Sequence, residues 1–224
     1  MRKTGKAFRT RWQKPGNPEV VQIIDQRRLP HEYVVTDLET WQDGADAIRD
    51  MLVRGAPLIG ATAAWSLYLA ALAHRDSADP AGAVIDAAAA LAETRPTAIN
   101  LRWALDRMLK VIRNVEPTDL IGTLAQDATA ICEEDGEISR QIALHGHLLI
   151  EEIARRRNGE PVNRLTHCNA GSLATINYGT ATAPVYLAHA NGIPVHVWVD
   201  ETRPGYQGSL LTAWELAENG VPHT

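Results

Sequence analysis

The sequence predicts a mixed α/β chain in two parts. Residues 1–158 read as a small antiparallel sheet plus a helical domain, and residues 159–224 as the first part of a parallel α/β domain. Three observations carry this. Short β-branched runs open the chain, at Val20 to Ile24 and at Tyr33 to Thr36. A long middle region, Pro57 to Ile153, repeats apolar residues at helical spacing. From Arg164 onward the pattern becomes strand, tight turn, helix, strand and polar loop, an alternation with short links that builds parallel sheets.

Composition bounds the function. At 224 residues and 45% hydrophobic content, the chain can build one large core or two modest ones. Its 22 Lys and Arg against 27 Asp and Glu give a formal charge of -5, which offers no basic field to a nucleic acid, so none is expected as a partner. Cys132 and Cys168 stand in unrelated contexts with no Cys-x-x-Cys spacing, which fits a reducing cytoplasm. Arg2, Lys3, Lys6, Arg9 and Arg11 have no apolar stretch behind them, so the start reads as a loose arm and not as a secretory signal. The apolar run Pro57 to Ala73 falls short of the roughly 20 residues of a membrane span and reads as a buried helix, with no membrane partner expected.

In chain order, the two opening runs make antiparallel strands around the Gln26 to His31 turn. Asp43 is placed to cap a helix carrying Ala45, Ile48, Met51 and Leu52, which Arg54-Gly55 stops. Pro57 fits the first turn of the next helix. Asp79-Pro80 repeats the cap-then-proline signal and opens an alanine-rich helix to about Glu93. Thr97 is expected to cap a helix whose stripe is Leu101, Ala104, Leu105, Met108, Leu109 and Ile112. Thr118 is expected to cap a long helical region marked by Leu120, Leu124, Ala128, Ile131, Ile138, Ile142, Leu149 and Ile153, with Gly136 a candidate break. A boundary is placed at Asn158 to Asn163. Beyond it come a strand over Leu165 to Cys168, a helix from Leu173 to Ala190, a strand over Val195 to Val199, and a helix from Leu210 to Glu218.

That order puts Cys168 and the Asp200 to Gln207 loop at the carboxyl ends of parallel strands, where open α/β sheets bind ligands. A thiol between a strand end and a helix start would feel a positive helix terminus and could have a lowered pKa, although cysteines are as often plain packing. His167 would point to the opposite face and reads as a packed, hydrogen-bonded histidine. Asn169-Ala-Gly171-Ser lacks the glycine spacing of a nicotinamide-binding loop. His145 and His147 diverge on a helix and read as surface residues, with no metal implied. Asp200, Glu201 and Arg203 fit a solvated loop by composition and a pocket wall by position. The Gln207 amide can donate to and accept from hydroxyls. Arg54 projects from a junction beside free helix amides, an arrangement that holds anions, although spacing alone favours a glycine C-cap with an exposed Arg.

Four motifs occur in order: Val53-Arg54-Gly55-Ala56-Pro57-x-Ile59-Gly60, Arg95-Pro96-Thr97-Ala98-x-Asn100-Leu101-x-Trp103-Ala104-Leu105, Thr166-His-Cys168-Asn-Ala-Gly171, and Asp200-Glu-Thr-Arg-Pro-x-x-Gln207-Gly208. From about Val20 to its last residue the chain resembles the S-methyl-5-thioribose-1-phosphate isomerase family. The resemblance implies a Rossmann-like second domain and an aldose-ketose isomerase of methionine salvage that uses no metal or organic cofactor. It implies that Arg54, Gly55, Ala56, Arg95 and Gln207 bind a sugar-phosphate substrate, that Cys168 is catalytic, and that the full-length protein is a cytoplasmic homodimer. The family's catalytic Asp and its Asn-Lys pair are expected beyond residue 224, so residues 1–224 alone are expected to be inactive or barely active. Two alternatives share the resemblance. One is an isomerase of another pentose 1-phosphate, such as ribose 1,5-bisphosphate or 5-deoxyribose 1-phosphate. The other is a non-catalytic subunit like those of initiation factor 2B, against which Cys168 and the unbroken Arg54-Gly55-Ala56 argue.

Overall fold

The computed structural model describes residues 9–224; Arg2, Lys3 and Lys6 of the expected arm lie outside the described residues. The chain divides into two compact units, one of Arg11–Arg27 with Val34–Glu134, the other of Arg28–Tyr33 with Asp135–Thr224 and Thr10. The division falls inside one long helix, α5 (Leu120–Arg155), upstream of the Asn158 link expected from sequence. The reason is packing: the second half of α5 places Ile150 in an apolar core with Val162, Val185, Val195 and Leu216.

In the first unit, β1 (Arg11–Lys14), β2 (Asn17–Ile24) and β3 (Val35–Leu38) form an antiparallel sheet in that order, with Ile24 opposite Val35. The last two are the expected strands. The first was assigned to the loose arm. Arg11 pairs with Ile23, and its guanidinium lies 4.0 Å over the Trp65 ring. Attraction to the ring's negative face lets a basic residue occupy a buried strand position.

Helix α1 (Trp41–Arg49) is capped by Thr40, and Asp43 sits inside the first turn. The Thr40 hydroxyl accepts from the Asp43 amide at 3.1 Å while the Asp43 carboxylate accepts from the Thr40 amide at 2.8 Å, a reciprocal box that satisfies two free donors. Helix α2 (Ala56–Ala73) begins as expected, with Pro57 in its first turn, and is buried from Leu58 through Ala71. It is long and apolar enough to cross a membrane, yet 83% of it is buried inside the protein, against α1, α3 (Pro80–Ala92) and α4 (Ile99–Ile112). Asp79 caps α3 by accepting from the Gly82 amide at 2.8 Å. Thr97 does not cap α4, which starts after Ala98 with no side-chain cap; of the expected stripe, Leu101, Ala104, Leu105, Met108 and Ile112 are buried and Leu109 is half-buried.

In the second unit, Gly136 does not interrupt α5. A single helical glycine costs about 1 kcal/mol relative to alanine, little against the ladder of a 36-residue helix. Beyond Gly136 the expected stripe turns outward: Ile138 is 59% exposed and Leu149 61%, while Ala143 and Ile150 face inward.

Strands β4 (Val162–His167) and β5 (Val195–Asp200) pair in parallel register from Val162 opposite Val195 to His167 opposite Asp200. On the other side, His223 makes an isolated parallel bridge to Val197 of β5. Between β4 and β5, α6 spans only Ala183–Ala190 and not the expected Leu173 to Ala190. A single 3-10 turn, Ser172–Ala174, leads into an irregular segment with Tyr178 and Gly179 at φ 58° and 88°. There the Thr175 hydroxyl donates to the Asn177 carbonyl at 2.6 Å and accepts from the Gly179 amide at 3.2 Å, side-chain bonds that compete with a helical ladder.

After β5, a π turn at Gly208–Thr212 runs into α7 (Ala213–Glu218), covering the expected last helix. Its start is held by Glu201, whose carboxylate accepts from the Thr202, Gly208 and Ser209 amides at 2.7, 2.8 and 3.0 Å and from the Ser209 hydroxyl at 2.6 Å. Burial pushes this carboxyl up, but the bonds from Ser209, Thr202 and Gly208 outweigh it and bring the group from 4.5 down to about 2.

Two outcomes follow. A carboxyl held below its unfolded value adds stability above that value and loses it as pH falls toward the folded one. Thermal unfolding of the parent and of Glu201→Gln should therefore differ above pH 4.5 and converge as pH falls to about 2. Leu216→Ala, which empties a fully buried site in the β4, β5 and α6 core, should cost about 3 kcal/mol by denaturant unfolding.

Candidate functional site

The first unit carries a cluster of cations at the α1 to α2 junction. The chain leaves α1 through Met51, in the left-handed region at φ 62°, and enters α2 through Gly55 at φ 98°, a conformation that glycine alone adopts at little cost. The Arg54 side chain is thereby turned inward: it is 6% exposed, and its Nε donates to the Met51 carbonyl at 3.2 Å. Burial lowers the Arg54 pKa, the Asp25 carboxylate opposes this, and the nearby charges of Arg27 and Arg95 lower it further. The three guanidiniums thus share one neighbourhood with the buried Asp25 carboxylate, which Arg27 engages from Nε at 3.0 Å and Nη2 at 2.9 Å.

This excess of positive charge sits beside the start of an 18-residue helix that has no side-chain cap and no acidic residue in its first turn. The Gly55 and Ala56 amides lie at that positive end. Arg95 Nη1 is buried without a hydrogen-bond partner, a costly state for a charged donor. Guanidiniums, open helix amides and an unsatisfied donor suit a phosphate. Arg54, Gly55, Ala56 and Arg95, expected from sequence to work together, lie in this one unit.

In the second unit, the parallel register sets the chemistry. His167 and Asp200 are the last residues of β4 and β5, so Cys168 and the Glu201 to Gln207 loop leave the sheet side by side, as the strand order predicted. Cys168 is half-buried and holds φ 67°, a conformation that costs a non-glycine residue roughly 1–2 kcal/mol. Its amide donates to the Asp200 carbonyl at 3.3 Å, and its carbonyl accepts from the Thr212 hydroxyl at 2.7 Å. Backbone strain held in place by surrounding bonds is characteristic of functional positions.

Two expectations about this loop need correction. No helix begins at Cys168, so no helix terminus lends its thiol positive charge. The amides of the following turn are instead filled by an acid: Glu215 Oε1 accepts from the Ser172 amide at 2.7 Å and Ser172 hydroxyl at 2.8 Å, and Oε2 accepts from the Leu173 amide at 3.1 Å. His167 is not packed. Its ring is exposed and pairs with Asp200 at 3.1 Å, which, with the Glu201 amide, holds the Asp200 carboxyl below its ordinary range.

The polar loop divides its labour. Glu201 is committed to the Gly208 and Ser209 amides, so it is a capping group and not open pocket wall, whereas Arg203 is exposed. Gln207 is half-buried, and its side-chain amide donates only a long 3.4 Å bond to the Pro204 carbonyl, which leaves its amide oxygen available. Among the described residues no group of three or more His, Cys, Asp or Glu side chains could hold a metal.

Glu215 is the residue that sequence reasoning missed. It is fully buried, and its carboxylate lies so close to Gly171 that a Cβ there would stand 2.3 Å from Oε2. Tyr186 donates to the same carboxylate at 2.7 Å; burial, and then the acid's charge, push the Tyr186 hydroxyl well above its ordinary value. The available signal was spacing: an acid four residues after Leu211 and directly before Leu216 falls on the buried stripe of its helix.

Comparison with known proteins extends the picture. Across its whole length the chain is 51% identical to the methylthioribose-1-phosphate isomerase of Desulfatibacillum aliphaticivorans, of which it covers 61%. It superimposes on the crystal structure of 5-methylthioribose 1-phosphate isomerase from Pyrococcus horikoshii OT3 with a TM-score of 0.85 at 36% identity, covering 98% of this chain and 60% of that one. It also matches the translation initiation factor eIF-2B delta subunit from A. fulgidus, with a TM-score of 0.80 at 34% identity over 97% of this chain and 62% of that one. The chain thus spans about 60% of the length of the curated relatives it matches. These likenesses bear out the resemblance carried by the four motifs and the mixed α/β architecture. The model of the initiation factor 2 subunit family matches residues 52–224, and the chain belongs to that family.

Proposed function

We propose that the protein is an aldose-ketose isomerase that converts S-methyl-5-thioribose 1-phosphate to S-methyl-5-thioribulose 1-phosphate. One observation carries the reading: relatives named methylthioribose-1-phosphate isomerase match the full chain at 50 to 52% identity. The reaction must open a ring whose C1 carries phosphate and then move hydrogen from C2 to C1. It needs a grip on the phosphate, a proton donor for the ring oxygen and donors toward the charge that develops.

The two clusters supply part of that list. Arg54 and Arg95, with the Gly55 and Ala56 amides, hold the phosphate. Gln207, with its free amide oxygen, takes sugar hydroxyls. Cys168 acts on the reacting carbons, as a donor of a proton or of a hydrogen bond. No metal or organic cofactor enters the reading. A homodimer in the cytoplasm and a Rossmann-like second domain, to which β4 and β5 would belong, complete it.

A second reading, a binding subunit of an initiation-factor assembly, is favoured by the similarity to the eIF-2B delta subunit. The two separate on one assay. In the full-length protein, steady turnover of methylthioribose 1-phosphate supports the isomerase. No turnover, with no thermal shift on adding the sugar phosphate, supports the subunit. Parallel assays on ribose 1,5-bisphosphate and 5-deoxyribose 1-phosphate fix the sugar.

Two substitutions test the roles. Arg54→Ala should raise KM roughly 10- to 100-fold, the value of a charged hydrogen bond to phosphate, and an unchanged KM would remove Arg54 from the site. Cys168→Ser should lower kcat about 100-fold with KM little altered, and full activity would rule out a chemical role for the thiol.

A further inference from the structure

The segment Thr212 to Glu215 touches the Cys168 loop at both ends. Thr212 donates its hydroxyl to the Cys168 carbonyl at 2.7 Å, and one helical turn later Glu215 takes up the Ser172 amide and hydroxyl and the Leu173 amide. Both side chains are fully buried, as are Ser172 and Leu173. The turn between these contacts contains the left-handed Cys168 and the close approach of Gly171 to the carboxylate. A buried carboxylate is costly unless its lone pairs are filled, and four donors fill this one, counting Tyr186. Such an acid is an expensive way to tie down a loop that an apolar residue could pack against.

We infer that Glu215, with Thr212, is a positioning residue: together they fix the Cys168 backbone in its strained conformation. Glu215 does not touch substrate. Its action runs through the Ser172 turn and the Cys168 carbonyl, and the inference rests on the reading that Cys168 works in the site. Glutamine at 215 keeps the shape but turns one acceptor into a donor facing an amide, so it loosens one end of the turn and removes the charge. Valine at 212 keeps the shape and removes only the bond to the Cys168 carbonyl.

The test is the time course of iodoacetamide modification at Cys168 at pH 7, read by peptide mass spectrometry on the full-length protein, with buried Cys132 as internal reference. Glu215→Gln and Thr212→Val are each expected to raise the Cys168 rate about fivefold, because a loosened turn gives the reagent more access to the half-buried thiol. Leu216→Ala, on the same helix, should lower the unfolding midpoint and leave the Cys168 profile unchanged. Profiles of Glu215→Gln and Thr212→Val that superimpose on the parent would overturn the inference. Should Glu215→Gln fail to fold, Thr212→Val decides alone, and a parental rate there is equally fatal. No substrate is present, so the result is separable from the isomerase reading: a fully active Cys168→Ser enzyme would end that reading and leave the alkylation outcome standing.

Discussion

Everything in the second unit that bears on chemistry depends on the parallel pairing of β4 with β5. Because the register ends with His167 opposite Asp200, the next residue of each strand emerges at the same edge, and the Cys168 amide is close enough to donate to the Asp200 carbonyl. A shift of β5 by one residue would break that bond and send Val195 and Val197 from the apolar core to the opposite face. The core therefore enforces the site, and burial of valines specifies where a thiol stands.

The two units treat charge in opposite ways. Around Arg54 the chain gathers the guanidiniums of Arg27 and Arg95 with the carboxylate of Asp25, and α2 begins with no side-chain cap and no acidic residue in its first turn. Around Cys168 the same kind of backbone donors are already filled from within, by Glu215 at Ser172 and Leu173 and by Glu201 at Gly208 and Ser209.

Much of this was legible in the residues. Gly55 followed by Pro57 marked the junction that presents Arg54, because a glycine with positive φ and a proline without an amide each permit little else there. Asp79-Pro80 marked α3 for the same reason, and the alternation after Arg164 placed Cys168 and Asp200 at strand ends. The errors also have causes. Thr40 and Asp43 cap α1 together, and the sequence signal is ambiguous because both residue types cap helices. The apolar run after Leu173 looked helical, yet Thr175, Asn177 and Gly179 bond locally and delay α6 to Ala183. The α5 stripe beyond Gly136 kept its period, but period alone does not say which face finds a partner.

The sequence by itself determined the local order of strands and helices, the cations and thiol that could carry chemistry, and the motifs that reveal the family, because propensity, capping and spacing act over a few residues. Only the tertiary structure decided which amides are spent and which are free. It showed that Arg11 is a strand residue stacked on Trp65, that Glu201 caps and does not line, and that Glu215 lies beneath the Cys168 turn. Those facts depend on groups brought together from as many as 54 positions apart, as Arg11 and Trp65 are, and no local preference encodes a contact whose energy exists only once both partners have left water.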